Sequence, residues 1–194
     1  MEKERVETFS QTDPPFPALE DRKPVPKDKE MIIFVGVSLK EIFKKQRKFV
    51  WPRPDGCPRC RMSKLWGHGY VEAYFDDLTG PVYLRRYRCP ECRCVIRLRP
   101  KGYFPRIQAS IETIRTSLGH RLREGRWPAG TSRSRQRHWL NRLITKTIGL
   151  LGNAWKDRLL EAFDRLLCLG MVSVSRTIEP GTGVVFEPPY RSVP

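Results

Sequence analysis

Cys57-Pro58-Arg59-Cys60 and Cys89-Pro90-Glu91-Cys92 are two copies of one pattern, and residues 61–88 between them decide what the pattern builds. Within that interval Tyr70, Glu72 and Tyr74 alternate with Val71, Ala73 and Phe75, the period-two signature of a half-buried strand. Asp76-Asp77-Leu78-Thr79-Gly80-Pro81 supplies turn residues, and Val82 to Arg88 reads as the returning strand of a hairpin. Residues Cys94 to Leu98 are suited to a third strand. A two-residue gap lets one tight turn present both sulfurs to a single ion. Two such turns at the same end of a hairpin complete a tetrahedral site of four cysteines. Proline after the first cysteine of each pair fixes φ and pre-shapes the turn.

The expected metal is one structural Zn2+ held by Cys57, Cys60, Cys89 and Cys92. Four protein ligands leave no coordination position for water or substrate, so the site is read as non-catalytic. A redox dithiol occurs once, at a helix start in a βαβ context, which this sequence lacks. Iron–sulfur binding draws on the same ligand type and stays open. Cys94 is a possible substitute for Cys92, Cys168 at the end of an apolar helix is read as a core residue, and His68 is read as surface or packing. Because a β segment of this length has little core of its own, the metal is expected to supply much of its folding free energy.

Charge points to the partner. The net charge is +16, and residues 1–30 carry 6 basic and 8 acidic side chains, 31–100 carry 15 and 6, 101–150 carry 11 and 2, and 151–194 carry 5 and 5. The whole excess lies in the middle of the chain, where such a field attracts polyanions and releases their counterions on binding. No apolar run approaches the roughly 18 residues of a membrane span. The N-terminus lacks the basic-then-apolar order of a secretory signal. A cytoplasmic location is therefore expected, with the six cysteines reduced rather than paired in disulfides.

Outward from the cysteines, residues 1–30 combine charge with Pro14, Pro15, Pro17, Pro24 and Pro26 and are read as a disordered leader. An apolar run, Ile32, Ile33, Phe34 and Val35, opens at Met31, which makes Met31 an alternative start of translation. Ser38 followed by Glu41 is a capping-box pattern that predicts a short helix from Leu39 to about Lys48, with Ile42 and Phe43 inward and Lys40, Lys44, Lys45, Arg47 and Lys48 outward. Ile107, Ile111, Ile114, Leu118 and Leu122 recur at helical spacing up to Gly125. Pro128 and Gly130 are read as a tight connection to a second helix, for which Thr131, Ser132 and Ser134 are candidate N-caps. Trp139, Leu140, Leu143 and Ile144 share one side of that helix. Arg137, His138, Asn141, Arg142 and Thr145 fall on the other. A last helix is predicted from about Asn153 to Cys168, with Trp155, Leu159, Phe163, Leu166 and Leu167 inward, followed by strand fragments and a tail.

The two basic helices are shaped like a helix-turn-helix, whose second helix would bear Arg133, Arg135, Arg137, His138, Asn141 and Arg142. Arginine grips phosphates or reads guanine edges, and asparagine reads adenine. Trp139 is read as core, since it shares a side with Leu140 and Leu143.

Trp51-Pro-Arg-Pro, the Cys57-Pro-Arg-Cys60 knuckle, the Tyr83-Leu-Arg-Arg-Tyr-Arg-Cys89-Pro-Glu-Cys92 return and the helices that follow resemble bacterial zinc-ribbon plus helix-turn-helix proteins associated with insertion sequences. The resemblance covers about residues 31–150. It is similar to the N-terminal region of insertion-sequence transposases, in which it implies recognition of the element's ends. Such transposases continue into a carboxylate-bearing catalytic core that residues 151–194 are too few to form, so the resemblance implies an accessory or regulator acting with a separate transposase or integrase.

The expected fold is α+β: a disordered leader (1–30), a basic helix with a four-cysteine zinc-ribbon hairpin (31–100), a helix-turn-helix-like segment (101–150), and an amphipathic C-terminal helix and tail (151–194) that offers a homodimer or partner surface. The expected function is non-enzymatic binding of duplex DNA through Lys44, Lys45, Arg85 and Arg86 together with Arg133, Arg135, Arg137, His138, Asn141 and Arg142. The rivals are RNA binding with Tyr70, Tyr74, Tyr83 and Tyr87 as stacking platforms, and a nuclease or transposase fragment using Glu72, Asp76 and Asp77 with magnesium.

Overall fold

The computed structural model describes residues 30–175 and the strand pair Val184–Val185; the expected leader up to residue 29 and the rest of the tail lie outside the described residues. The architecture is α+β. Its strands are β1 (Met31–Val35), β2 (Trp66–Ala73), β3 (Val82–Arg88), β4 (Val95–Pro100) and the short β5 (Val184–Val185). Its helices are α1 (Leu39–Lys45), α2 (Ile111–Glu124), α3 (Arg133–Leu151) and α4 (Leu159–Cys168). The sheet runs in the order β2-β3-β4-β1-β5, antiparallel from β2 to β4 and parallel where β1 meets β4 and β5.

The predicted hairpin is β2 and β3, with Tyr70 opposite Arg85 and Val71 opposite Leu84. The third strand is also present, as β4. The apolar run after Met31, for which no strand was predicted, is β1, paired so that Ile33 faces Leu98 and Val35 faces Pro100. A run of Ile, Ile, Phe and Val without polar alternation suits a strand covered on both sides, a pattern that periodicity cannot separate from other buried segments.

Ser38 caps α1 as its sequence predicts, accepting from the Glu41 amide at 3.4 Å. The helix stops at Lys45 rather than Lys48, because Gln46 turns to φ 50 and its side-chain amide donates to the Pro81 carbonyl at the hairpin turn (3.2 Å). A 3-10 turn, Gln46–Lys48, follows.

The first basic helix starts later than its apolar spacing suggests. Ser110 is the N-cap of α2, accepting from the Thr113 amide at 3.0 Å. Ile107 lies before it, with its carbonyl taken by the buried Arg99 (2.8 Å). Gly125, at φ 69, closes the helix. Leu122, expected inward, is exposed. Of the three candidate caps for α3, Ser132 is the one used. The predicted last helix is divided: Asn153–Trp155 form a 3-10 turn and α4 begins only at Leu159. Cys168, expected in the core, is exposed.

Two apolar clusters hold these elements. One gathers Ile42, Phe49, Trp51, Leu65, Phe75, Val82, Leu84, Ile96 and Leu98 with Cys57, Cys89 and Tyr103. The other gathers Phe104, Ile114, Leu118, Trp139, Leu143, Phe163 and Leu166. The neighbours Tyr103 and Phe104 thus serve different clusters. The inner stripe of α4 (Leu159, Phe163, Leu166, Leu167) is buried with α2 and α3, and a bidentate Arg115–Asp164 pair (2.8 and 2.7 Å) ties α4 to α2. A dimer surface on α4 would have to use its other side. No described helix is long and apolar enough to cross a membrane.

Candidate metal centre

The hairpin brings the two cysteine pairs together. The sulfurs of Cys57, Cys60, Cys89 and Cys92 all lie within 4.8 Å of one another, with Cys57 and Cys92 at 3.5 Å and Cys60 and Cys89 at 3.4 Å. In a tetrahedral site with metal–sulfur bonds of about 2.3 Å, sulfurs are roughly 3.8 Å apart. The spacing fits an ion at the centre, and the four thiols are close enough to hold one.

The two turns are built alike. The Cys57 amide donates to the Met62 carbonyl at 2.8 Å, and the Cys89 amide donates to the Cys94 carbonyl at 3.0 Å, the same step along each turn. The residue after each pair, Arg61 in one and Arg93 in the other, adopts a left-handed conformation with φ 62 and φ 58. The repeated sequence is therefore a repeated backbone. Cys57 and Cys89, the first sulfur of each turn, are buried in the sheet core, whereas Cys60 is exposed and Cys92 half-buried. Apolar packing holds one side of the site and solvent meets the other.

Backbone hydrogen bonding from Met62 draws the Cys60 thiol down to about 7, while burial pushes the thiols of Cys89 and Cys92 up. A metal must displace those protons. In an unfolded chain cysteine thiols titrate near about 8.5, and in the metal-bound fold they carry no proton. Stability conferred by the metal is thus present above the unfolded value and is lost as pH falls. Metal affinity should drop by about tenfold per pH unit for each proton released, which competition with a chromophoric chelator between about pH 8 and 5.5 will measure; a flat profile would contradict thiolate ligation.

Cys94 stands outside this group: its buried thiol donates to the Val95 carbonyl at 3.6 Å, and burial raises its pKa. His68 is likewise not among the clustered ligands, and among the described residues the four cysteines are the one group of His, Cys, Asp or Glu placed to hold an ion. Two of the three acidic residues of the nuclease reading are engaged elsewhere. Asp77 accepts a 2.5 Å hydrogen bond from the Tyr103 hydroxyl, and Asp76 pairs with Arg135 at 2.8 Å. Glu72 sits on β2 opposite Tyr83.

The basic residues singled out in the sequence separate into distinct environments. Lys44 and Lys45 are exposed on α1, and Arg133, Arg137, His138 and Asn141 are exposed on the first half of α3, with Arg142 half-buried. Arg135 is taken up by Asp76 and by Trp139, whose ring centre is 5.3 Å away. Arg85 lies over Tyr70 at 4.8 Å and Tyr87 at 5.5 Å, and Arg86 buries an Nε without a hydrogen-bond partner among the described residues. The connection from Gly125 to Ser132 is longer than the roughly three- or four-residue turn of a helix-turn-helix.

Sequence reading missed three features. Gln136 is fully buried between the basic helices, Arg99 is buried against the Phe75 ring at 4.7 Å, and Arg121, Arg126 and Trp127 share a cleft with α3. The helical period placed Gln136 on the inner side with Trp139 and Leu143, which was the available signal. No protein-family model, curated protein or solved structure matches the chain.

Proposed function

We propose that the chain is a zinc-stabilised, non-enzymatic nucleic-acid-binding protein that reads duplex DNA, with the first half of α3 on base edges and α1 on phosphates. The observation that supports it is unspent positive charge: of Lys44, Lys45, Arg85, Arg86, Arg133, Arg135, Arg137 and Arg142, Arg135 alone is ion-paired among the described residues. Charge kept free of carboxylates over three elements, α1, β3 and α3, is suited to a polyanion. Zinc is the metal best suited to a closed four-thiolate set presented by two short turns, and there it orders the hairpin without taking part in chemistry. Elemental analysis should return one zinc per chain, whereas visible absorption would reveal an iron centre instead. The resemblance to insertion-sequence proteins adds a separate transposase or integrase as a proposed partner.

DNA affinity should fall steeply with salt. Replacing Arg137 and Asn141 by alanine should cost about 1–3 kcal/mol of discrimination between sequences, while replacing Lys44 and Lys45 should weaken all sequences alike and lower the salt slope by about one for each phosphate no longer neutralised. Gel-shift titrations with matched and scrambled duplexes will check both; equal effects of the two pairs on discrimination would count against α3 as the reading element. The RNA alternative has less support. Tyr87 is buried and Tyr70 and Tyr83 are half-buried, leaving Tyr74 as the exposed ring of the four. Single-stranded RNA that outcompetes duplex DNA would reverse that preference.

A further inference from the structure

A cleft of about 600 Å3 opens between the end of α2, the connection that follows it and the start of α3. It is lined by Arg121, Arg126, Arg133 and Arg137, with Trp127, Leu140 and Asn141. No carboxylate lines it, and among the described residues none of the four guanidinium groups is ion-paired. Four like charges around one hollow repel one another, a cost that persists unless an anion enters. The remaining lining is of a different kind. The Trp127 ring carries Arg121 at 5.3 Å, Leu140 adds apolar surface, and Asn141 offers both a donor and an acceptor.

Concavity limits what fits. A base stacked within a duplex has both faces covered and cannot enter a hollow, whereas an unstacked nucleotide can. Arginine pairs with phosphate through two parallel hydrogen bonds, aromatic and aliphatic surface takes a base, and an amide reads a base edge. The cleft presents all three. We propose that it is a nucleotide pocket: a nucleoside 5′-phosphate enters with its phosphate among Arg126, Arg133 and Arg137 and its base against Trp127 and Leu140, either as a free mononucleotide or as the unstacked terminal residue of a strand. This goes beyond duplex recognition, since it gives the protein a place for a base outside the double helix.

Calorimetry on the zinc-loaded full chain will test it with adenosine 5′-monophosphate, adenosine, inorganic phosphate, and a short single strand with either a 5′-phosphate or a 5′-hydroxyl. Adenosine 5′-monophosphate should bind at least about tenfold more tightly than adenosine or inorganic phosphate. Trp127→Leu and Arg126→Gln should each weaken it about tenfold; Arg126 is an exposed residue of the connection, so its variant stays informative where Trp127→Leu disturbs folding. A strong preference for the 5′-phosphorylated strand identifies a strand end as the source, and equal affinity for the two strands identifies the free nucleotide. Adenosine 5′-monophosphate binding no better than inorganic phosphate, or unaffected by Arg126→Gln, overturns the proposal. Duplex binding measured on the unmodified chain keeps the readings apart: its absence with mononucleotide binding intact refutes the duplex reading alone.

Discussion

Cys89→Ser is expected to leave the protein without stoichiometric metal and with its sheet unfolded. The Cys89 side chain is fully buried just past the end of β3, where its sulfur lies 3.4 Å from that of Cys60 and its amide closes the second turn. A serine there keeps the turn's shape but withdraws one of four thiolates and leaves a hydroxyl in an apolar site. Structural zinc contributes on the order of 10–16 kcal/mol in small domains at neutral pH, against a total stability of about 5–15 kcal/mol for an ordinary domain. Losing one thiolate therefore removes a contribution comparable to the whole stability of an ordinary domain, which the sheet's own apolar cluster must then carry unaided. Far-ultraviolet dichroism should lose its strand contribution while the helical signal of the second apolar cluster persists, and a chelator should do the same to the unmodified chain. Cys168→Ser, at an exposed position, should change neither metal content nor melting. Full metal content and an unchanged denaturation midpoint in Cys89→Ser would refute the site.

Gln136→Ala should destabilise the helical part by about 3 kcal/mol, the second largest effect anticipated for a single substitution. This side chain is fully buried, and both its carbonyl and its amide are engaged. The carbonyl accepts from Ser117 of α2 at 2.8 Å, while the amide donates to the Pro128 carbonyl at 3.1 Å and the Thr131 carbonyl at 2.6 Å. One residue of α3 thereby fixes both α2 and the connection between the helices. Truncation strands a buried hydroxyl and frees two carbonyls, at about 1–3 kcal/mol for each group left without a partner. Gln136→Leu should fare little better, since it restores volume without the hydrogen bonds. Urea denaturation will give the value. A loss below about 1 kcal/mol would mean that water replaces the amide and that the connection is not held as described.

The four-cysteine cluster was readable because its information is local. Two residues between cysteines, with proline in the same place, fix a turn whatever lies elsewhere, and the alternation from Tyr70 to Phe75 then fixes which ends meet. β1 was not readable. Its partner β4 lies far along the chain, and Ile32 to Val35 show no alternation that distinguishes a strand. The helical stripes located α2 and α3, and Gly125 marked where α2 ends, but they missed where α2 begins: Ser110 overrode the apolar spacing that began at Ile107. Arg135 shows the limit for the basic residues. Its position on the helix was legible from the helical period, yet its capture by Asp76 depends on a distant turn of the hairpin, which no local pattern encodes.

The doubled turn has an electrical consequence. Four thiolates around a divalent cation would leave two surplus negative charges at the open end of the hairpin, opposite its turn. Arg61 and Arg93 occupy the same left-handed step in the two turns, and each adds one cation directly after a metal-binding sulfur in the chain. Under the proposed zinc ligation these two positive charges would match the surplus, so the proposed phosphate contact would meet no net anionic barrier from the metal site.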